Sequence, residues 1–128
     1  MLKHTLIIAG ALVALASSTA FAETRSWNVT EETADGIKNA QGVWTAATEG
    51  EKIAGSADMT LNAGDPLSYK LDGSVKDGVY TINLVGRSDG KKACVWSGHK
   101  PSSGGTQTSG LTGNAQCDGA KLVIRASF

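Results

Sequence analysis

Residues 53–85 of the chain, IAGSADMTLNAGDPLSYKLDGSVKDGVYTINLV, decide the fold. Apolar and polar side chains alternate along most of this stretch, which is the period of a β-strand with one buried face. The alternation stops at residues 62–66 and 76–78, where Asn, Gly, Asp and Pro favour tight turns. The stretch therefore predicts three antiparallel strands joined by two turns. The predicted inward residues are Ile53, Ala57, Met59, Leu61, Leu67, Tyr69, Leu71, Val75, Tyr80, Ile82 and Leu84.

The same period-two pattern extends to both sides of this stretch. The further predicted strands are Gly42–Thr48, Ala93–Gly98, Gln107–Thr112 and Ala120–Phe128, with Glu49–Gly50 as a turn. Roughly seven or eight short antiparallel strands with hairpin-length connections and no crossover helices make an all-β meander. We expect the meander to close into a barrel or, alternatively, to form a two-sheet sandwich, because both architectures use the same inward and outward alternation.

The interior of this domain is predicted to be filled by side chains. In the last strand the predicted inward residues are Leu122, Ile124, Ala126 and Phe128, with Arg125 facing outward. Together with Trp96 and the inward residues of the central strands, they occupy most of the lumen of a small barrel. Gly55 and Gly73 interrupt the strands, where glycine is typical of a bulge or a bend in a closing sheet. A filled interior favours contacts through the rim over a deep pocket.

Residues 23–41 precede the regular pattern and form a separate segment before the domain at residues 42–128. Arg25–Thr30 predicts an edge strand through Trp27 and Val29. Alternatively, Thr30 is a helix N-cap residue type that would start a short helical turn over Glu31–Lys38.

Residues 1–22 have the three parts of a secretory signal peptide of the bacterial type. Lys3 lies in the head, Leu6–Ala16 is apolar, and Ala20-Phe21-Ala22 is a cleavage site for release after Ala22. The apolar run is shorter than the roughly 20 residues that a membrane-spanning helix needs. The sequence therefore predicts a protein exported to the periplasm or secreted, with no lipid or helical anchor.

Composition and charge exclude several classes of partner. Twelve Lys and Arg residues balance twelve Asp and Glu residues, and Lys91–Lys92 is the longest basic run. Nucleic acids and anionic membranes are bound by clustered cations, so neither is a predicted partner. The last strand resembles the terminal strand of outer-membrane barrels, but eight spanning strands of about nine to eleven residues would use most of the residues after the leader. We therefore predict no membrane insertion.

The two cysteines predict a disulfide bond. Cys94 and Cys117 are the only cysteines of the chain, and an oxidising compartment favours their pairing. Their spacing is too wide for a Cys-x-x-Cys redox motif. Zinc sites need three or four ligands, and with the cysteines bonded to each other we predict neither a metal nor another cofactor.

The predicted binding surface lies where the strand Ala93–Gly98 enters a Pro-, Ser- and Gly-rich loop. A rigid β-scaffold that carries such a loop is typical of binding modules. The predicted binding residues are Trp96, His99, Lys100, Ser102 and Ser103. We predict a non-catalytic envelope protein, a binding module or an inhibitor, whose partner is an envelope protein or a small apolar ligand.

Two other functional hypotheses stay open at this stage. A small hydrolase would have to use His99, which is the only histidine after the leader, with a neighbouring serine as the nucleophile. An envelope structural or stress-protective protein would need no discrete ligand.

Gly42-Val43-Trp44 in an early strand and Arg125 in the last one resemble the calycin group of lipocalin-like small barrels. In that family a Gly-x-Trp packs beneath an arginine from near the end of the barrel, a cation–π contact worth about 0.5–2 kcal/mol. The resemblance implies a structural role for Gly42, Trp44 and Arg125. It also implies ligand capture in the barrel mouth or, in short exported members, inhibition of a protease or lysozyme by the rim.

Overall fold

The structure, a computed structural model, describes residues 23–100 and 110–128. The described residues form eight β-strands: β1 (Glu23–Thr33), β2 (Lys38–Glu49), β3 (Lys52–Leu61), β4 (Pro66–Lys76), β5 (Val79–Val85), β6 (Cys94–His99), β7 (Gly110–Cys117) and β8 (Ala120–Ser127). Each strand pairs antiparallel with the next, and β1 also pairs with β8, which closes the sheet into a barrel. The predicted all-β barrel is confirmed, and the sandwich alternative is wrong because a single sheet closes on itself.

The core lies inside the barrel and follows the predicted alternation. Trp44 and Trp96 are fully buried at its centre, with ring centroids 5.2 Å apart and ring planes perpendicular. The fully or nearly fully buried residues around them include Ile53, Met59, Leu67, Tyr69, Leu71, Ile82, Leu84, Leu122 and Ile124. Period-two patterning therefore located most of the core correctly.

Phe128 departs from its predicted inward position. It follows the last paired residue of β8, and 39% of its surface is exposed. Because the strand ends at Ser127, the Phe128 ring packs across the barrel end against Trp27 instead of entering the lumen.

The first strand is longer than the predicted edge strand and has partners on both sides. β1 pairs with β2 and with β8, so it is an interior strand of a closed sheet. The helical alternative for Glu31–Lys38 is not found. Glu31 continues the alternation of β1 as a buried residue, and the chain then reverses in a hairpin turn. In that turn the Thr33 N–H donates to the Ile37 carbonyl at 2.8 Å, and Gly36 has a φ of 86°.

The glycines inside β3 and β4 allow close approach of neighbouring strands. A Cβ on Gly55 would overlap the Thr45 carbonyl oxygen, and a Cβ on Gly73 would overlap that of Thr81. The pairing register runs without a shift at both glycines, so they are not bulges. They act as close-packing positions of a strongly curved sheet.

The described part of the seventh strand extends further than predicted. β7 spans Gly110–Cys117, whereas the sequence pattern predicts Gln107–Thr112, and residues 107–109 lie outside the described residues. Its centre contains Gly113, which lies opposite Gly98 with too little space for a Cβ. Small residues carry no apolar alternation, which is why the sequence pattern fades there.

The two ends of the barrel differ in the segments that they carry. The hairpin end consists of the β1–β2, β3–β4, β5–β6 and β7–β8 connections, around residues 34–37, 62–65, 86–93 and 118–119. Among the described residues, the terminal end carries Glu23, Phe128 and the β2–β3 and β4–β5 connections. Within the described part of the chain, no helix has the length and apolar character needed to cross a bilayer.

Candidate functional site

A buried cluster of charged and polar side chains occupies the hairpin end. The Glu31 side chain is fully buried and receives two hydrogen bonds from the Arg87 guanidinium, at 3.0 and 3.1 Å. Tyr69 and Asn39 donate to the same carboxylate at 2.6 and 3.2 Å. Arg87 also donates two hydrogen bonds to Asp89, at 2.8 and 3.1 Å. We call these five residues the polar cluster.

The arginine of this cluster owes its position to one glycine. Leu84 is the last inward residue of β5, so strict alternation would turn position 86 inward and position 87 outward. Gly86 instead has a φ of 68°, which reverses the alternation and turns the Arg87 side chain into the barrel. Ser88 then fixes the loop to β4 through two 3.0 Å hydrogen bonds with Ser68.

Tyr69 connects the polar cluster to the aromatic core. Its hydroxyl donates to Glu31 and accepts a 2.9 Å hydrogen bond from the Trp44 indole N–H, and the Arg87 guanidinium lies 4.7 Å from its ring centroid. Burial, followed by the charge of Glu31, raises the pKa of Tyr69 well above its ordinary value. The phenol is therefore protonated at neutral pH and can donate its hydrogen bond to Glu31.

The polar cluster has few unused hydrogen-bonding groups with which it could bind a ligand. Each carboxylate oxygen of Glu31 already accepts two hydrogen bonds, and Arg87 uses its forked donors on two carboxylates. A fully satisfied buried network stiffens and orients the surrounding core. We therefore assign the polar cluster a structural role, as the seal of the hairpin end.

The lowered pKa of the Asp89 carboxylate predicts that the protein loses stability in acid. Burial raises its pKa, but hydrogen bonds from Arg87 and from the Lys91 N–H outweigh burial and lower the pKa from 3.8 to about 2. A lowered folded-state pKa stabilises the protein above about pH 4, and the stabilisation is lost as the pH falls towards 2. We expect Asp89→Asn to flatten the dependence of stability on pH between 4 and 2, measured as urea midpoints. Asp58→Asn on the outer face of β3 is the matched control, and an equally flat curve for that variant would contradict the assignment.

The terminal end is built from aromatic side chains. The Trp27 indole packs against Phe128 at 5.6 Å and Trp44 at 6.1 Å between ring centroids, with interplanar angles of 32° and 29°. Tyr80 meets the same indole edge-on at 5.5 Å, and the Arg25 guanidinium lies 4.5 Å from the Phe128 ring centroid. We call Arg25, Trp27, Tyr80 and Phe128 the aromatic mouth, because Phe128 and half-buried Tyr80 carry this cluster to the surface.

One polar atom of the aromatic mouth has no partner. Among the buried side-chain nitrogen and oxygen atoms of the described residues, Trp27 Nε1 alone makes no hydrogen bond. Such an atom is uncommon in a folded protein and calls for a physical reason. No sequence signal could have found it, because an indole in an alternating strand looks the same whether or not its N–H is paired.

The structure separates the residues of the predicted binding surface. Trp96 is fully buried, its N–H donates to the Ile124 carbonyl at 3.2 Å, and its ring covers Gly98. Trp96 is therefore a core residue, as the alternation predicted, and its role in binding stays a prediction. His99 and Lys100 are exposed at the terminal end, where His99 Nδ1 lies 2.8 Å from the Lys100 carbonyl oxygen. The predicted residues Ser102 and Ser103 lie outside the described residues.

The predicted contact between Trp44 and Arg125 is wrong. Ile124 and Ala126 take the inward positions of β8, so Arg125 points outward. Its side chain is 53% exposed and pairs with Glu32 at 2.9 Å. The buried arginine is Arg87, which reaches Trp44 only through Tyr69. The inward position of Glu31 in β1 was the available signal, because a buried carboxylate requires a cationic or donor partner.

The predicted disulfide is confirmed. Cys94 and Cys117 face each other across β6 and β7, both are buried, and their sulfur atoms are bonded. The bond lies near the hairpin end and is compatible with an extracellular or periplasmic location.

A broad groove of about 850 Å³ runs over the outer wall of the barrel, across β7, β8, β1 and β2 to Thr60 of β3. Its outward side chains are mostly polar and include Thr30, Gln41, Thr112 and Arg125, with exposed Val43 among them. Among the described residues that line it, none has a buried polar atom in need of a partner. The groove is therefore a weaker candidate than the aromatic mouth.

No protein-family model matches the chain, and no curated protein matches it significantly. Among solved structures, it is similar to a redesigned β-barrel, mFAP1, bound to DFHBI, with a TM-score of 0.62 and 22% identity over 80% of this chain and 92% of that one. A de novo designed fluorescence-activating β-barrel aligns with a TM-score of 0.58 and 14% identity over 80% of this chain and 89% of that one. At these identities the likeness concerns the fold, so the chain shares the architecture of small eight-stranded antiparallel barrels.

Proposed function

We propose that this protein is a non-catalytic binding protein that takes up a small apolar ligand through the aromatic mouth. The supporting observation is the contrast between the two ends of the barrel. The hairpin end is filled by a polar cluster whose hydrogen bonds are made within the chain. At the terminal end, Phe128 exposes 39% of its surface and covers an indole with an unpaired N–H.

The fold supports the same proposal. Eight-stranded barrels have lumens that are either filled or large enough for one small ligand. The redesigned barrel mFAP1 was solved bound to DFHBI, and ligand capture is what the resemblance to calycins implies. In this chain Trp27, Trp44 and Trp96 fill the centre of the barrel. The ligand therefore binds at the aromatic mouth, where it displaces the Phe128 side chain.

The proposal includes export. A leader cleaved after Ala22 would release a chain that begins at Glu23, and a buried disulfide suits an oxidising compartment. We propose the periplasm or the extracellular space as the location, where the aromatic mouth meets ligands of the envelope.

Truncation of the Phe128 side chain to alanine tests the proposed function. The probe is 6-propionyl-2-(dimethylamino)naphthalene, a neutral dye whose emission shifts to the blue in apolar surroundings. We expect the full chain to bind the dye, and Phe128→Ala to bind it roughly 2–10-fold more tightly, because an aromatic contact of about 0.5–1.5 kcal/mol no longer competes. Val95→Ala removes a side chain of similar exposure, 38%, from the outer wall and serves as the matched control. A dye that fails to bind, or equal affinities for all three proteins, would contradict the proposal.

A further inference from the structure

We propose that the Trp27 indole N–H is the recognition donor of the aromatic mouth, and that the ligand is a small planar aromatic molecule carrying a hydrogen-bond acceptor. This inference rests on the proposed function and adds the chemical class of the ligand. It follows from one buried donor and from the arrangement of rings around it.

The Trp27 N–H differs from the other two indole N–H groups of the barrel because it has no hydrogen-bond acceptor in the described part of the chain. Trp44 donates to the Tyr69 hydroxyl at 2.9 Å, and Trp96 donates to the Ile124 carbonyl at 3.2 Å. Trp27 is nearly as deeply buried, at 3% exposure, yet its Nε1 has no partner within the described residues. A buried donor that lacks a partner is unfavourable, so a molecule that brings an acceptor to it gains the hydrogen bond and relieves the penalty.

The rings around this donor select a planar aromatic partner. Trp27 stacks on Trp44 and packs against Phe128 in a tilted arrangement, and the Arg25 guanidinium lies over the Phe128 ring. A flat ring in the place of the Phe128 side chain keeps the contacts with the Trp27 indole and with the Arg25 guanidinium. Phe128 follows the last paired residue of β8, so its displacement breaks no pairing between strands.

The same geometry disfavours two other ligand classes. An aliphatic chain fills space but gains neither the stacking on Trp27 nor the cation–π contact with Arg25. An aromatic molecule that only donates hydrogen bonds leaves Trp27 Nε1 unpaired in the complex.

A matched pair of ligands tests the acceptor requirement. 2-Acetylnaphthalene has a carbonyl acceptor and no donor, and 2-ethylnaphthalene has nearly the same shape without the carbonyl. We expect the ketone to bind the full chain about tenfold more tightly, which is the gain from one buried hydrogen bond. Binding of both ligands with equal affinity would overturn the inference and leave the proposed function standing. Failure of both ligands to bind would overturn the proposed function, and this inference with it.

The indole N–H resonances provide a readout at the atom itself. In proton–nitrogen NMR spectra of the full chain, we expect 2-acetylnaphthalene to shift the Trp27 indole proton downfield. The indole protons of Trp44 and Trp96 serve as internal controls, because both are already hydrogen-bonded. A Trp27 resonance that is unmoved at saturation would overturn the inference.

The substitution Trp27→Phe keeps a ring and removes the donor. We expect this variant to lose the preference for the ketone, so that the two ligands bind with a ratio near one. Retention of the preference in the folded variant would overturn the inference. If the variant does not fold, the NMR experiment on the unaltered chain still decides.

Discussion

Replacing Arg87 with methionine is expected to lower the free energy of unfolding by about 3–5 kcal/mol. The substitution leaves the Glu31 carboxylate fully buried without its cation and removes two of the hydrogen bonds that it accepts. Methionine retains most of the apolar volume of the arginine side chain, so the effect reports the loss of the charge and its donors. Urea unfolding of both proteins at pH 7 measures it.

A double-mutant cycle separates this effect from simple loss of packing. The combined variant Glu31→Met/Arg87→Met has no buried Glu31 carboxylate left without its cation, and Asp89 keeps its 3.1 Å hydrogen bond from the Lys91 N–H. We therefore expect the double substitution to cost clearly less than the sum of the two single ones. Some loss persists because the Tyr69 hydroxyl no longer has Glu31 as its acceptor. Additive single effects would contradict the assignment of Glu31 and Arg87 as a coupled pair.

The second large effect is expected from the disulfide bond. The double substitution Cys94→Ala/Cys117→Ala should lower the free energy of unfolding by about 3 kcal/mol, because the bond closes a loop between residues 23 positions apart and thereby restricts the unfolded chain. Equilibrium unfolding under oxidising conditions measures the difference.

Reduction provides the control for the disulfide. A thiol reductant should destabilise the parent protein by a similar amount and leave the double variant unchanged. Destabilisation of both proteins by the reductant, or of neither, would show that the bond is not the source of the difference.

The fold could be predicted from the sequence because the alternation of apolar and polar residues, clearest in residues 53–85, gives two kinds of information. It gives the strand period, and it assigns each side chain to the lumen or to the outside. Leu71, Ile82 and Trp96 were placed correctly inside the barrel on this basis alone. The same rule also identified Arg125 as outward-facing, and so it contradicted the contact with Trp44 that the calycin resemblance implied.

The candidate site was much less accessible to sequence reasoning. Arg87 enters the barrel because Gly86 reverses the alternation, and whether a glycine adopts a positive φ depends on the surrounding loop. Trp27 was recognised as part of a strand, but its unpaired N–H is a property of three-dimensional packing. Phe128 was assigned to the interior because alternation does not tell where a strand stops. Phe128, which the alternation misplaced, and Arg87, for which it made no prediction, both lie just beyond a strand end, where pairing no longer constrains direction.

The seam between β1 and β8 sets the order of events when this molecule assembles. Asn28 there lies opposite Ser127, so the first and last parts of the chain must meet before the ring is complete. Loop-closure entropy makes such distant pairing slow, and until it forms, β1 exposes a row of unsatisfied amides that another copy of the chain can capture. The yield of refolded protein should therefore fall as the protein concentration rises. The closed barrel itself, built from the eight described strands, has no unpaired edge strand to which another copy could add.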